Sequence, residues 1–283
     1  MSATASASDT LTAFVHPEGR SLAYRLIGEG PALVWCNRFR GNLDTWDPAF
    51  LDALARHFTV VTFDYRGIGS STGDPPESVG AMADDAKDVI DELELDHLII
   101  GGWSMGGMAA QMLVARWPRL MTHAVLVGTN PIGANSRPGE RLFYGIATKP
   151  ENDLEDEIVL FFEPRSAESR AAAERTHRRL ALRTVDFDPP VPPPVFNRML
   201  ETVGPDIRAD AEHVRDALKA TTVPILIISG DHDISFPVEN WYALSGQLPT
   251  AQHIVFPSAG HGPHHQYPET VAAYIAAFVD AST

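Results

Sequence analysis

Gly102-Trp103-Ser104-Met105-Gly106 follows the apolar run Leu98-Ile99-Ile100 and precedes a helix-like stretch from Gly107 to Trp117. A serine between two glycines at a strand-to-helix turn is the arrangement of a nucleophile elbow. A backbone that doubles back so sharply leaves no room for a Cβ beside strand or helix. Glycines therefore flank the serine, and its hydroxyl is pushed into the open.

Other segments repeat the strand-then-helix order. Ala32-Leu33-Val34-Trp35-Cys36, Thr59-Val60-Val61-Thr62-Phe63, Ala124-Val125-Leu126-Val127 and Pro224-Ile225-Leu226-Ile227-Ile228 read as buried strands. Val79, Met82, Ala83, Ala86, Val89, Ile90 and Leu93 recur at helical spacing, as do Val271, Tyr274, Ile275, Phe278 and Val279. This alternation predicts an α/β fold: a mostly parallel, doubly wound sheet covered on both faces, with reactive residues at its carboxyl edge. The sheet core is expected over 12–130 and 223–283. Between Pro131 and Thr222 the alternation stops, and helix-like segments at 153–162, 166–183, 195–202 and 210–220 surround a proline-rich break at 189–194. Residues 1–11 read as a flexible tail without the basic start and apolar stretch of a signal peptide.

A serine hydroxyl is a poor nucleophile at neutral pH. It needs a histidine to take its proton and a carboxylate to hold that histidine in the right tautomer. Downstream, the strand 224–228 runs into Ser229-Gly230-Asp231-His232-Asp233, where two carboxylates compete for one role. After the strand-like run His253-Ile254-Val255-Phe256, the loop Ala259-Gly260-His261-Gly262 supplies a histidine, with His264 and His265 as fallback bases.

With Ser, Asp and His in that order, each after a predicted strand, the chain resembles the α/β-hydrolases over about Thr12 to Phe278. In that family the acid usually stands fourth in a Gly-x-x-Asp turn, which implies Asp233 rather than Asp231, and the Gly-His loop matches His261. Asn130, where some relatives carry the acid, is not a carboxylate. The turn Asp64-Tyr65-Arg66-Gly67-Ile68-Gly69-Ser70-Ser71 matches a structural signature of the family. The segment 131–222 resembles its helical cap.

The resemblance also implies an oxyanion hole made by the backbone N–H of Met105 and of Phe39. Relatives usually carry His-Gly-x-x-Gly after the third strand, whereas this chain has Asn37-Arg38-Phe39-Arg40-Gly41. Arg38 stands where relatives have a bare glycine, so either its torsion angles are ordinary or the loop differs. Arg38 or Arg40 reaches a polar group of the substrate, or both are surface or ion-paired side chains. Arg38, Trp103, Phe143, Tyr144, Phe161, Phe162 and Phe196 are the candidate substrate-binding residues, with Phe187 and Met199 as further cap positions. These apolar side chains favour a large apolar substrate group.

Charge narrows the partners. Twenty-two basic and 37 acidic residues give a net charge of −15, which argues against nucleic acid and anionic membranes and suits neutral or cationic substrates. No run approaches a membrane span. The single cysteine, Cys36, rules out an internal disulfide, and a cytoplasmic location is expected. No metal site or cofactor is expected, because the Gly-x-x-Asp and Gly-His readings account for the clustered ligand-type residues. The expected protein is a monomer or homodimer that cleaves a small-molecule carboxylic ester or lactone, with esterases of macrolide lactones among the similar proteins. Peracid-forming, haloperoxidase-like or carbon–carbon bond hydrolysis on the same fold is one alternative, and a non-catalytic small-ligand receptor is another.

Overall fold

The computed structural model describes residues 6–282. Eight strands form one sheet: β1 (Ala13–Val15), β2 (Leu22–Ile27), β3 (Ala32–Cys36), β4 (Thr59–Phe63), β5 (Leu98–Trp103), β6 (Met121–Val127), β7 (Ile225–Gly230) and β8 (Ala251–Phe256). Their order across the sheet is β1-β2-β4-β3-β5-β6-β7-β8. The β1–β2 and β2–β4 pairs are antiparallel, and every pair from β4 to β8 is parallel. The elbow strand β5 therefore lies in mid-sheet, between β3 and β6.

Period-two alternation divides the strand residues between two cores. Val34, Val61, Ile100, Leu126 and Ile227 face α2 (Val79–Glu92) and α3 (Met105–Arg116), while Leu33, Val60, Ile99, Val125 and Leu226 face α1 (Pro48–Leu54) and α11 (Pro268–Ser282). The covering helices are capped in the way their sequence suggests. Ser78 accepts from Ala81 N to open α2, and Asp47 accepts from Ala49 N with Pro48 at the first position of α1. Burial of Val271, Ile275, Phe278 and Val279 fixes α11 on the sheet, each contributing about 1.5–3 kcal/mol.

Five helices lie between β6 and β7: α4 (Arg141–Ala147), α5 (Leu154–Phe161), α6 (Ala167–Leu180), α7 (Pro193–Ala209) and α8 (Val214–Ala220). Four features depart from expectation. α4 is an additional helix, and α7 extends well past residue 202, because Pro205 is accommodated inside it and the left-handed Asp210 closes it. α8 packs on α3 with Val214 and Leu218 in the sheet core, so the helices standing above the sheet end before 222. The expected flexible tail is docked from residue 6 onward. Ser6 Oγ and Ala7 N donate to Asp52, and Arg183 donates to the carbonyls of Ala7, Ser8 and Thr10. Residues 1–5 of that segment lie outside the described residues.

The short helices α9 (Glu239–Tyr242) and α10 (Pro263–Gln266) follow β7 and β8. Among the described residues, no helix is long and apolar enough to cross a membrane. No group of three or more His, Cys, Asp or Glu side chains among them is placed to hold a metal ion.

Candidate active site

Ser104 sits between β5 and α3 with φ 59° and ψ −124°, torsions that a residue with a Cβ adopts only under strain. The tight turn depends on its neighbours. A Cβ on Gly106 would overlap the Cys36 carbonyl oxygen and lie 2.5 Å from the Asn37 carbonyl oxygen, and one on Gly102 would overlap the Gly106 carbonyl. We expect Gly106→Ala to lower folding stability by about 3 kcal/mol, read as a shifted urea midpoint, because rigid backbone must move.

Loops at the carboxyl ends of β7 and β8 bring two partners to the serine. His261 Nε2 lies 2.8 Å from Ser104 Oγ, and His261 Nδ1 lies 2.8 Å from Asp233 Oδ2. Asp233 Oδ1 accepts from the N–H groups of Ser235 and Phe236 at 2.8 and 2.9 Å, which fixes the carboxylate. All three side chains are buried. Asp231 instead pairs with its neighbour His232 and accepts a long bond from Ala259 N, so the structure joins the second aspartate of the turn to His261. Trp103 Nε1 donates to the His261 carbonyl at 2.9 Å and steadies that loop from behind.

His264 and His265 do not reach the serine. They pack on the Trp103 ring, and His264 also meets Phe50 edge-on. Burial drives the His264 pKa well below its ordinary value, and neither ring nitrogen has a protein partner. A histidine that stays neutral when folded but protonates when unfolded leaves stability unchanged above pH 6.5 and destabilises the fold as pH falls below it, because the unfolded chain then binds a proton that the folded one does not. His264→Phe removes the penalty. We expect its effect on stability, measured by denaturant unfolding, to be more favourable at pH 5 than at pH 8 by about 2 kcal/mol.

The loop after β3 carries the other candidate residues. Asn37 is buried: its Nδ2 donates to the Asn42 carbonyl at 2.7 Å, and its Oδ1 accepts from Arg38 N at 2.8 Å. The bond from Gly41 N to the Arg38 carbonyl closes a tight turn around Phe39. Arg38 has ordinary torsions, and the left-handed residue is Arg40 at φ 57°, so this loop differs from the glycine-bearing pattern. Arg38 Nη1 donates to the Phe39 carbonyl at 2.7 Å, and its guanidinium lies over the rings of Trp103 and Phe161. Arg40 donates to the carbonyls of Ala147, Lys149 and Pro150 and stacks on Phe196 at 4.0 Å, tying the loop to the end of α4. The Phe39 and Met105 amides flank this turn and the start of α3, where a helix leaves N–H groups without intrahelical acceptors.

The profile of the alpha/beta hydrolase fold family matches residues 31–268. The chain belongs to this family. It is similar to an alpha/beta hydrolase fold protein from Chitinophaga pinensis, with a TM-score of 0.86, 26% identity and coverage of 98% of this chain and 99% of that one. It is 25% identical over 246 residues to a pimeloyl-[acyl-carrier protein] methyl ester esterase of Vibrio campbellii, covering 86% of this chain and 92% of that protein. The enol-lactonase of Burkholderia xenovorans LB400 shares the fold, at a TM-score of 0.70 and 20% identity over 95% of this chain and all of that one.

Two cavities meet at Ser104 in this alpha/beta hydrolase. The first, about 260 Å³, is lined by Met105, Met108, Phe143, Tyr144, Leu200, Ile207 and Phe236 among others. The second, about 520 Å³, is lined by Arg38, Arg40, Phe143, Phe161, Glu157 and His261 among others, and Phe39 and Ser104 border both. Three expected lining residues lie elsewhere. Trp103 is buried beneath the serine among His261, His264 and His265, Phe196 is buried under Phe39 and Arg40, and Phe162 packs with Ile158, Ala172 and Ala173. Of the further cap positions, Met199 is in the core and Phe187 is exposed.

Met108, Leu200, Ile207 and Phe236 are lining residues that the sequence reading does not single out. Met108 stands one helical turn beyond the elbow, a signal legible in the spacing. Ile207 lies past the expected end of its helix, and the inward turn of Phe236 depends on the Asp233 loop.

Proposed function

We propose that this protein is a serine hydrolase of carboxylic esters or lactones. The continuous hydrogen-bonded chain Ser104–His261–Asp233, with both links at 2.8 Å, carries this reading. His261 Nε2 takes the hydroxyl proton as Ser104 Oγ attacks the carbonyl carbon, and Asp233 keeps the second proton on Nδ1 and balances the imidazolium. The N–H groups of Met105 and Phe39 hold the tetrahedral oxyanion. Collapse breaks the bond to the leaving oxygen, which receives the proton from Nε2. Water, deprotonated by the same nitrogen, then attacks the acyl-enzyme, and collapse releases the acid and restores the serine.

The fold hosts other chemistries, so the support comes from the site itself and from an esterase relative. The helices α4, α5 and α7 act as a cap that walls the cleft. The decisive experiment is mass spectrometry after a fluorophosphonate probe, together with hydrolysis of aryl esters, graded acyl chains and macrocyclic lactones. An adduct on Ser104 with turnover of at least one ester class is expected. A protein that binds such compounds without labelling or turnover is a receptor instead.

A further inference from the structure

The division of the cleft at Ser104 orients the substrate. Phe39, Ser104 and Phe143 border both chambers, whereas His261 borders only the larger. The assignment of the chambers rests on the ester-hydrolase reading. His261 Nε2 delivers its proton to the leaving oxygen, so the alcohol half lies in the chamber that this imidazole faces, and the acyl half fills the other.

The two chambers differ in chemistry. In the acyl chamber the walls are Met105, Met108, Leu200, Ile207 and Phe236; several polar groups there are already engaged, and Arg208, unpaired among the described residues, is exposed to solvent at its edge. Asn130 Oδ1 accepts from Asn240, Asn135 donates to the Pro131 and Gly133 carbonyls, and Arg137 meets Glu239. The other chamber contains Arg38, Arg40, Thr45, Asn152 and Glu157. Most of these are engaged as well: Arg40 with three carbonyls, Thr45 with Asn42, Asn152 with the Ile146 carbonyl and Glu157 with His177.

Two side chains are exceptions: Glu151, which is exposed at the chamber's edge, and Arg38, which is half-buried within it. Its guanidinium makes one hydrogen bond, to the Phe39 carbonyl, and no ion pair among the described residues, while its Nε has no protein partner. Burial between Trp103 and Phe161 pushes its pKa down to about 10; the Glu157 carboxylate in the same chamber, which makes no ion pair with it, offsets only part of that shift, and Arg40 adds to it. A planar donor group left in this state, in the chamber that Ser104 and His261 also line, is suited to acceptor oxygens of a ligand.

We infer that this protein takes esters of an apolar acyl group with a hydroxylated, uncharged leaving alcohol, and that Arg38 selects the alcohol by donating to its oxygens. The net charge of −15 favours the uncharged alcohol over one bearing a carboxylate.

Two esters of identical composition test the orientation. Glyceryl hexanoate places the hydroxyls on the leaving group, and hexyl glycerate places them on the acyl group. The wild-type protein is expected to favour glyceryl hexanoate by at least about tenfold in kcat/KM, although the α-hydroxyl makes the glycerate carbonyl the more electrophilic. Equal rates or the reverse preference overturn the proposal, with no variant needed. Propyl hexanoate, which lacks the leaving-group hydroxyls, tests Arg38. The glyceryl-to-propyl ratio is expected to be about ten in the wild type and close to one in Arg38→Met, with the change mainly in KM, and intermediate in Arg38→Lys. Using a ratio cancels any general loss from releasing the Phe39 carbonyl. A ratio unchanged in Arg38→Met overturns the role of this residue. Hexanoyl glycerate, carrying a carboxylate on the leaving group, is expected to be slower than glyceryl hexanoate; a faster rate overturns the preference for an uncharged alcohol. If the ester reading itself fails, no ester is turned over and Ser104 takes no fluorophosphonate, an outcome distinct from an inverted preference.

Discussion

Ser104→Ala is expected to lower kcat/KM for aryl esters by about 10⁴- to 10⁶-fold and to abolish fluorophosphonate labelling, the scale on which loss of the nucleophile acts in serine hydrolases. The backbone remains strained in this variant, because alanine keeps the Cβ that makes φ 59° and ψ −124° costly. Glycine does not. Ser104→Gly is therefore expected to be as inactive as the alanine variant yet more stable than the wild type by about 1–3 kcal/mol, measured by urea unfolding. Together the two variants separate the side chain's chemistry from the conformation that presents it. Residual esterase activity within tenfold of wild type in Ser104→Ala would place the reaction elsewhere.

The sequence exposes those parts of this molecule that depend on local periodicity. Strands such as 59–63 and helices such as 79–92 sit on two faces of one sheet, so their apolar spacing is regular and readable. The elbow is equally legible, because Gly102 and Gly106 are forced by backbone contacts within a few residues of the serine and against β3. Asp231 and Asp233 are harder to separate. They stand two residues apart in one turn, and only the placement of the Ser235 and Phe236 amides turns the second toward His261.

The two chambers are least legible. They are bounded by α4 and α7, whose positions are set by long-range ties such as the Arg40 fork on the end of α4. The same reason explains the misplaced aromatics. Trp103 adjoins the serine in sequence and Phe196 lies in the expected cap, but each fills space behind the site. Trp103 supports the His261 carbonyl, and Phe196 underlies Phe39 and Arg40.

Asp233→Asn probes the proton relay without changing its shape, and a loss of about 10⁴-fold in kcat is expected. The direction follows from the hydrogen bonds. Asp233 Oδ1 accepts from two backbone N–H groups, so the asparagine oxygen keeps that position and the new NH₂ group faces His261 Nδ1. Nδ1 must then become an acceptor, which moves the imidazole proton to Nε2. That nitrogen points at Ser104 Oγ and, once protonated, cannot take the hydroxyl proton. Asp231→Asn is the matched control two residues away. Its side chain contacts His232 and Ala259 rather than His261, so kcat is expected to stay within about threefold of wild type. Near-UV circular dichroism of both variants checks that packing is retained. Equal losses in the two variants would mean that disturbance of the loop, rather than loss of the correct tautomer, sets the rate.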